Sequence, residues 1–190
     1  KSYTPKRPSG SFRTTSGFTD VPAGDYEVTV AAPDAGDNGT LDEDEGLATF
    51  NVTLEADTNY TVVADGVIET GNFAENPDGE DIGFTLNTYT GAMTAAEGDG
   101  IAIQVHHGAT DAGVANIFEG NSTESAAELT YGDFSPYLMY ESADTVRTFD
   151  IEIDGLRGTF NQHVQVSSDI LPSGSAATVL ASGFADPPAN

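Results

Sequence analysis

The chain has 190 residues, and its 31 acidic residues against six lysines and arginines give a formal net charge of −25. Such a surface repels nucleic acid and anionic membranes, so neither a nucleic-acid partner nor membrane insertion is expected. The absence of cysteine excludes disulfides, thiolate nucleophiles and cysteine-based zinc sites.

Residues 1–15 form a basic arm on this acidic protein. The arm contains four of the six basic residues, and the first acidic residue of the chain is Asp20, so residues 1–19 carry +4 and the rest −29. Its prolines, serines and threonines are typical of a segment that becomes ordered only against a partner. Since proline cannot donate a ladder hydrogen bond, residues 11–15 are the most strand-like part. The residues expected to contact a neighbouring subunit are Tyr3, Lys6, Arg7, Phe12 and Arg13.

The segment DAGDNGTLDEDE at 34–45 resembles a calcium-binding loop in the spacing of its oxygen-bearing residues. The candidate ligands are Asp34, Asn38, Thr40, Asp42 and Glu45. Gly36 occupies a position where the pattern needs a ligand, and the flanking segments read as strands rather than helices. A solvated acidic loop is the alternative interpretation, and no other cofactor is expected.

Beyond the arm, short alternating apolar runs such as EVTV at 27–30, separated by Gly-, Pro- and Asp-rich turns, predict β-strands about ten residues apart. This pattern indicates an all-β protein built from β-sandwiches. Alternation predicts the first core as Val28, Val30, Phe50, Val52, Leu54, Val62, Phe84 and Leu86. It predicts the second core as Ile101, Ile103, Val105, Ile117, Tyr137, Ile151, Ile153, Val164, Val166, Val179 and Leu180.

An internal repeat divides the strands into two copies, predicted at residues 16–98 and 99–190. TFNVTLEADTNYTVVADG at 49–66 aligns with TFNQHVQVSSDILPSGSAATVLASG at 159–183 through TFN and a shared T-V-x-A-x-G. The first copy lacks about two leading strands, and the second lacks the trailing strand that DIGFTLNTYT at 81–90 supplies to the first. Missing strands leave unpaired sheet edges.

Two adjacent histidines, His106 and His107, lie near Asp111 and suggest a metal or catalytic site. A metal site needs a third ligand, and the remaining histidine, His163, lies in a separate strand pattern. No nucleophile motif accompanies them. We therefore expect His107 to end a strand and Asp111 to open a turn, with no enzymatic activity. Replacing both histidines with glutamine is then expected to remove only turn contacts.

The segments VHHGATDAGVANIFEG, LTYGDFSPYL, VPAGDYEVTV, LEADTNYTVVADG and LPSGSAATVLASGFAD together resemble a known pattern. They are similar to the secreted bacterial family numbered 4397 among domains of unknown function, over roughly residues 16–186. The resemblance implies tandem immunoglobulin-like sandwiches on exported or surface proteins, without enzymatic activity. The family's S-P-D-A-P turn is replaced here by residues 108–113.

Two functions follow as hypotheses. The first is an extracellular or cell-surface structural protein whose subunits polymerise head to tail into a filament, with β-strands donated between neighbouring copies. The second is an adhesin or glycan-binding module of a longer multi-repeat protein, with surface glycans as partners. Because the chain begins with Lys1 and shows no leader segment, it is expected to be the mature form of an exported protein.

Overall fold

The computed structural model describes residues 15–31, 46–142, 144–155 and 158–185, which form an all-β fold. The strands are β1 (Gly24–Ala31), β2 (Gly46–Leu54), β3 (Tyr60–Asp65), β4 (Thr85–Thr90), β5 (Ile101–Ala109), β6 (Ala112–Glu119), β7 (Ser125–Leu129), β8 (Leu138–Tyr140), β9 (Arg147–Gly155), β10 (Gly158–Val166) and β11 (Ala176–Gly183). The helical element in these ranges is a 3₁₀ turn at Thr70–Asn72. The predicted all-β class is therefore confirmed. No helix in the described ranges is long and hydrophobic enough to span a bilayer.

The chain divides into two compact units, Lys1–Thr58 and Asn59–Asn190. The predicted first repeat, 16–98, is therefore divided between them. Residues 59–98 join the second unit because they bond to the following strands. Asn76 Nδ2, for example, donates to the carbonyl oxygens of Thr110 and Ala112, each at 2.9 Å.

In the first unit, β1 and β2 form an antiparallel two-stranded sheet with a bulge between Val30 and Ala31. Polar pairs bridge its strands, including Thr53 Oγ1 donating to Asp25 Oδ1 at 2.7 Å. None of the described residues of this unit is buried. The prediction of a core here is wrong for the residues expected in β1 and β2, because this sheet has no second layer among the unit's described residues. Those residues are Val28, Val30, Phe50, Val52 and Leu54.

The second unit contains two sheets packed as a sandwich. One has the strand order β10-β9-β6-β7 and the other the order β11-β5-β8. Their facing apolar side chains form a continuous core that includes Phe149 and Leu129. Seven residues predicted for the second core are buried: Ile101, Ile103, Val105, Ile117, Ile151, Ile153 and Val166. Alternation along the strands thus predicted most of this core correctly.

Leu180 is the main error in that list, because its side chain is 44% exposed. It lies on β11, which ends its sheet and pairs in parallel with β5. Because successive side chains point to opposite faces and Val179 lies beside Val105 on the core face, Leu180 lies on the other face, beside His106. Tyr137, Val164 and Val179 are half-buried. Val62, predicted for the first core, is 45% exposed, while Phe84 and Leu86 are half-buried.

Strand β5 is the centre of the second unit, since all nine of its residues are buried. Successive side chains of a strand point to opposite faces. Ile101, Ile103 and Val105 therefore face the sandwich core. The other face carries polar side chains, which bond to the antiparallel pair β3–β4 and to the segment before β8. This arrangement places His106 between the sandwich and β3.

Candidate functional site

The residues predicted to contact a subunit or calcium lie outside the described residues. They are Tyr3, Lys6, Arg7, Phe12 and Arg13 in the arm, and Asp34, Asn38, Thr40, Asp42 and Glu45 in the loop. Both sites stay predictions. Within the described ranges, no cluster of three or more His, Asp or Glu side chains is placed to hold a metal ion.

The two adjacent histidines lie inside β5, not at its end. Pairing with β11 continues past His107 to Ala109, so the predicted strand end at His107 is wrong. Thr110 and Asp111 make the turn to β6. The histidine side chains are 1% and 0% exposed, which removes them from solvent.

Both ring nitrogens of His106 face hydrogen-bond acceptors. Nε2 lies 2.6 Å from Asp65 Oδ2, and Nδ1 lies 2.9 Å from the carbonyl oxygen of Asp133. Since a neutral imidazole has one N–H, both bonds form only when the ring and the Asp65 carboxyl group together hold two protons. The same Asp65 oxygen accepts from Asn87 Nδ2 at 2.7 Å. The pair joins β3 to β5.

His107 has the complementary arrangement, with one acceptor and one donor. Its Nε2–H donates to the Gly113 carbonyl oxygen at 2.8 Å, and its Nδ1 faces the Ala109 N–H at 3.4 Å. This pattern fits a neutral ring. Burial away from water lowers the pKa of His107 below its ordinary value of 6.5, although the Gly113 carbonyl acts in the opposite direction.

All four ring nitrogens of this pair are thus directed at protein groups. His163 lies apart from them on β10, where its Nδ1 is 2.6 Å from Asp150 Oδ1 at an exposed position. The structure brings His106 and His107 to the centre of the unit and leaves His163 elsewhere. This geometry supports a structural role for the pair.

Sequence reasoning missed Asp65 and Asn87 as partners of His106. Asp65 ends β3, and Asn87 lies on β4 directly opposite Val63 of β3. Nothing in local composition distinguishes these two residues from other polar residues near turns. Only the pairing register of β3 with β4, and the packing of both against β5, brings them to the histidine.

A second feature with functional potential is the free edge of β11. A parallel strand directs the N–H and C=O groups of alternate residues to alternate sides. The Ser175 carbonyl accepts from the Ala102 N–H at 3.0 Å, so Ala177, Val179 and Ala181 also face β5. The intervening residues, which we call the outer edge of β11, are Ala176, Thr178, Leu180 and Ser182. No strand among the described residues pairs with this edge.

The outer edge of β11 carries no protection against pairing. Proteins usually block exposed edges with charged side chains, proline, bulges or very short strands. The eight residues AATVLASG of β11 contain neither a charge nor a proline, and their register with β5 is unbroken. The other edge strand of this sheet, β8, has only three residues. β11 is therefore a suitable acceptor for an added strand.

Comparisons with known proteins add no family assignment. No family model matches the chain, and neither a curated protein nor a solved structure matches it. The resemblance to the secreted bacterial family of unknown function stays a prediction from the quoted motifs.

Proposed function

We propose that this chain is a non-enzymatic extracellular structural protein, the subunit of a fibre assembled head to tail by β-strand complementation. The observation that carries the proposal is the outer edge of β11, which is unpaired among the described residues, uncharged and eight residues long. A strand added to such an edge gains main-chain hydrogen bonds and side-chain contacts together.

The first unit supplies a second argument. Its described part is a two-stranded sheet without buried side chains. An isolated pair of strands is at best marginally stable in water, whereas additional strands and a covered apolar face stabilise it. Contacts with neighbouring subunits would provide that cover, so assembly and folding of this unit would support each other.

The geometry of the contact determines the form of the assembly. If one segment of each copy pairs with a different surface of the next, the contact is heterologous and continues indefinitely unless it closes into a ring. A net charge of −25 opposes unspecific clustering through mutual repulsion. It suits a protein in saline surroundings, where screening reduces that repulsion. Together these properties favour a filament over an amorphous aggregate.

Deleting residues 1–15 tests the proposal. We expect a monomer whose second unit remains folded, because the deletion removes the basic arm and leaves the buried core of that unit complete. Negative-stain microscopy and sedimentation velocity measure assembly, and circular dichroism measures folding. The matched control is the triple variant Lys6→Gln, Arg7→Gln and Arg13→Gln, which removes most of the arm's charge and keeps its backbone. It should slow assembly without abolishing it. Unchanged fibres after the deletion would contradict the arm's role.

A glycan-binding module is the second candidate, favoured by an open cleft of about 420 Å³. The cleft is lined by Phe118, Gly120, Asn121, Ser122, Thr123, Asp150 and Glu152. An aromatic ring beside amide, hydroxyl and carboxylate groups is a combination that binds sugars through apolar contact and hydrogen bonds. Isolated particles in the microscope, with glycan binding lost in Glu152→Gln, would favour this function over the fibre.

A further inference from the structure

The internal repeat identifies which strand the outer edge of β11 lacks. TVVADG at 61–66, which contains most of β3, aligns with TVLASG at 178–183 in β11. In the first copy, β4 follows β3 and pairs with it in an antiparallel ladder. No equivalent of β4 follows β11 within the described residues. Within the part of the chain that the structure describes, the two copies therefore differ by this one strand.

The hydrogen-bonding groups of the two strands correspond as well. The Gly91 N–H donates to the Asn59 carbonyl at 2.8 Å, which sets the bonded positions of β3 at every second residue, including Thr61, Val63 and Asp65. In the repeat alignment these three residues correspond to Thr178, Leu180 and Ser182. The outer edge of β11 thus carries the same outward backbone groups that β3 uses to bind β4.

Side-chain exposure agrees with a missing strand. Val63, directly across from Asn87 on β4, is half-buried. Its counterpart Leu180 is 44% exposed, although both are apolar residues at the same repeat position. A strand added alongside β11 would place its own side chains next to Leu180 and reduce that exposure.

We propose that residues 11–15 of a second copy fill this position, antiparallel to β11, with Phe12 covering Leu180. This inference rests on the proposed fibre and names its acceptor edge. Charge complementarity supports the choice of the arm: residues 1–15 carry +4, whereas residues 59–190 contain 20 acidic residues and two arginines, a net −18. Screening over about 8 Å at physiological salt limits this attraction to encounter and orientation. The remaining binding free energy comes from backbone hydrogen bonds and from burial of the Phe12 ring.

Leu180→Pro in the full-length chain tests the acceptor edge. The N–H of Leu180 points away from β5, so proline removes an outward donor and leaves the β5 ladder intact. Leu180→Ala is the matched control, because it removes the side chain and keeps the N–H. Ser182→Pro removes a second outward N–H and serves if Leu180→Pro fails to fold. Circular dichroism and thermal melting verify folding of each variant.

Two measurements read out the contact. Negative-stain microscopy records fibres, and fluorescence anisotropy records binding of a labelled peptide of residues 1–15 to each full-length variant. We expect fibres from the parent, and peptide affinity reduced several-fold by Leu180→Ala. With either proline variant we expect no fibres and an affinity at least tenfold weaker.

The outcomes separate this inference from the fibre itself. If the proline variants form fibres and bind peptide like the parent, the fibre stands and β11 as its acceptor is overturned. If the parent forms no fibres and binds the added peptide no better than the proline variants do, the arm does not join copies through β11, which overturns both proposals. Fibres from the parent together with their loss in folded proline variants support both.

Discussion

At the scale of single residues, His106 and His107 show how neighbouring positions of one strand acquire different hydrogen-bond partners. Their side chains leave β5 on opposite faces. His106 meets two acceptors, Asp65 and the Asp133 carbonyl, whereas His107 meets one acceptor and one donor. The expectation that replacing them removes only turn contacts is wrong in its premise, because these buried bonds join β5 to β3, to the segment at Asp133 and to Gly113 of β6.

The burial of His107 predicts a pH effect on stability. Its pKa is lowered in the folded protein, so below about pH 6.5 the unfolded chain binds more protons and the free energy of unfolding falls. This contribution is complete above pH 6.5 and is lost as the pH falls toward the folded pKa. We expect His107→Gln to cost about 1–3 kcal/mol at pH 8, with a smaller difference from the parent at pH 5.

Urea unfolding at pH 8, 6.5 and 5 measures this difference, and His163→Gln is the matched control. His163 lies exposed on β10, apart from the buried pair, so its replacement controls for the loss of a histidine elsewhere in the chain. Parallel profiles for the parent and His107→Gln would contradict the assignment of His107 as a neutral buried ring.

At the scale of elements, the end of β3 depends on a close approach of two backbone segments. Gly66 follows β3 with φ +83°, and a Cβ on it would overlap the carbonyl oxygen of Gly83. The next residue, Val67, is buried and its N–H donates to the Ile82 carbonyl at 2.9 Å. This close approach of Gly66 to Gly83, which we call the crossing, therefore holds the segment before β4 against the end of β3.

This crossing predicts unequal effects of two glycine substitutions. Gly79 has nearly the same φ, +82°, but a Cβ there meets no atom within 4 Å. Gly79→Ala should therefore lower the free energy of unfolding only by the cost of a left-handed backbone at a residue with a Cβ, about 1–2 kcal/mol. Gly66→Ala adds a backbone clash and should cost at least about 2 kcal/mol more. Equal midpoints of urea unfolding for the two variants would show that the crossing is looser than described.

Strand type and the central core were predictable from sequence, whereas sheet edges and partners were not. Ile101, Ile103 and Val105 alternate on a strand covered by a second sheet, so period-two reasoning sufficed. Leu180 directly follows Val179, so alternation places it on the face opposite the core, and its exposure depends on what lies over that face. The bond between Asp65 and His106 joins residues 41 positions apart, a separation that local patterns do not encode.

At the scale of the whole molecule, the charge of −25 makes every cation a general stabiliser through screening. A specific calcium site must therefore be separated from this background. If the loop at 34–45 binds calcium, Asp34→Asn with Glu45→Gln should lower the melting temperature only when calcium is present, since a ligand stabilises the state that binds it.

Differential scanning fluorimetry with 5 mM calcium chloride, roughly a thousandfold excess over a micromolar site, or with chelator measures that effect. The matched control is Asp20→Asn with Asp169→Asn, which makes the same charge change at exposed positions outside the loop. Equal melting of the parent with and without calcium would rule out the loop site.

The parallel pairing of β11 with β5 also affects how the chain folds during synthesis. Partners in this ladder are 74 residues apart, as in the bond from Thr178 to Gln104. At ribosomal rates of about 5–20 residues per second, β5 emerges about 4–15 s before β11. During that interval the most buried strand of the unit lacks one neighbour. Completion of this sheet therefore waits for the synthesis of β11, and the contact order of this ladder favours slow closure.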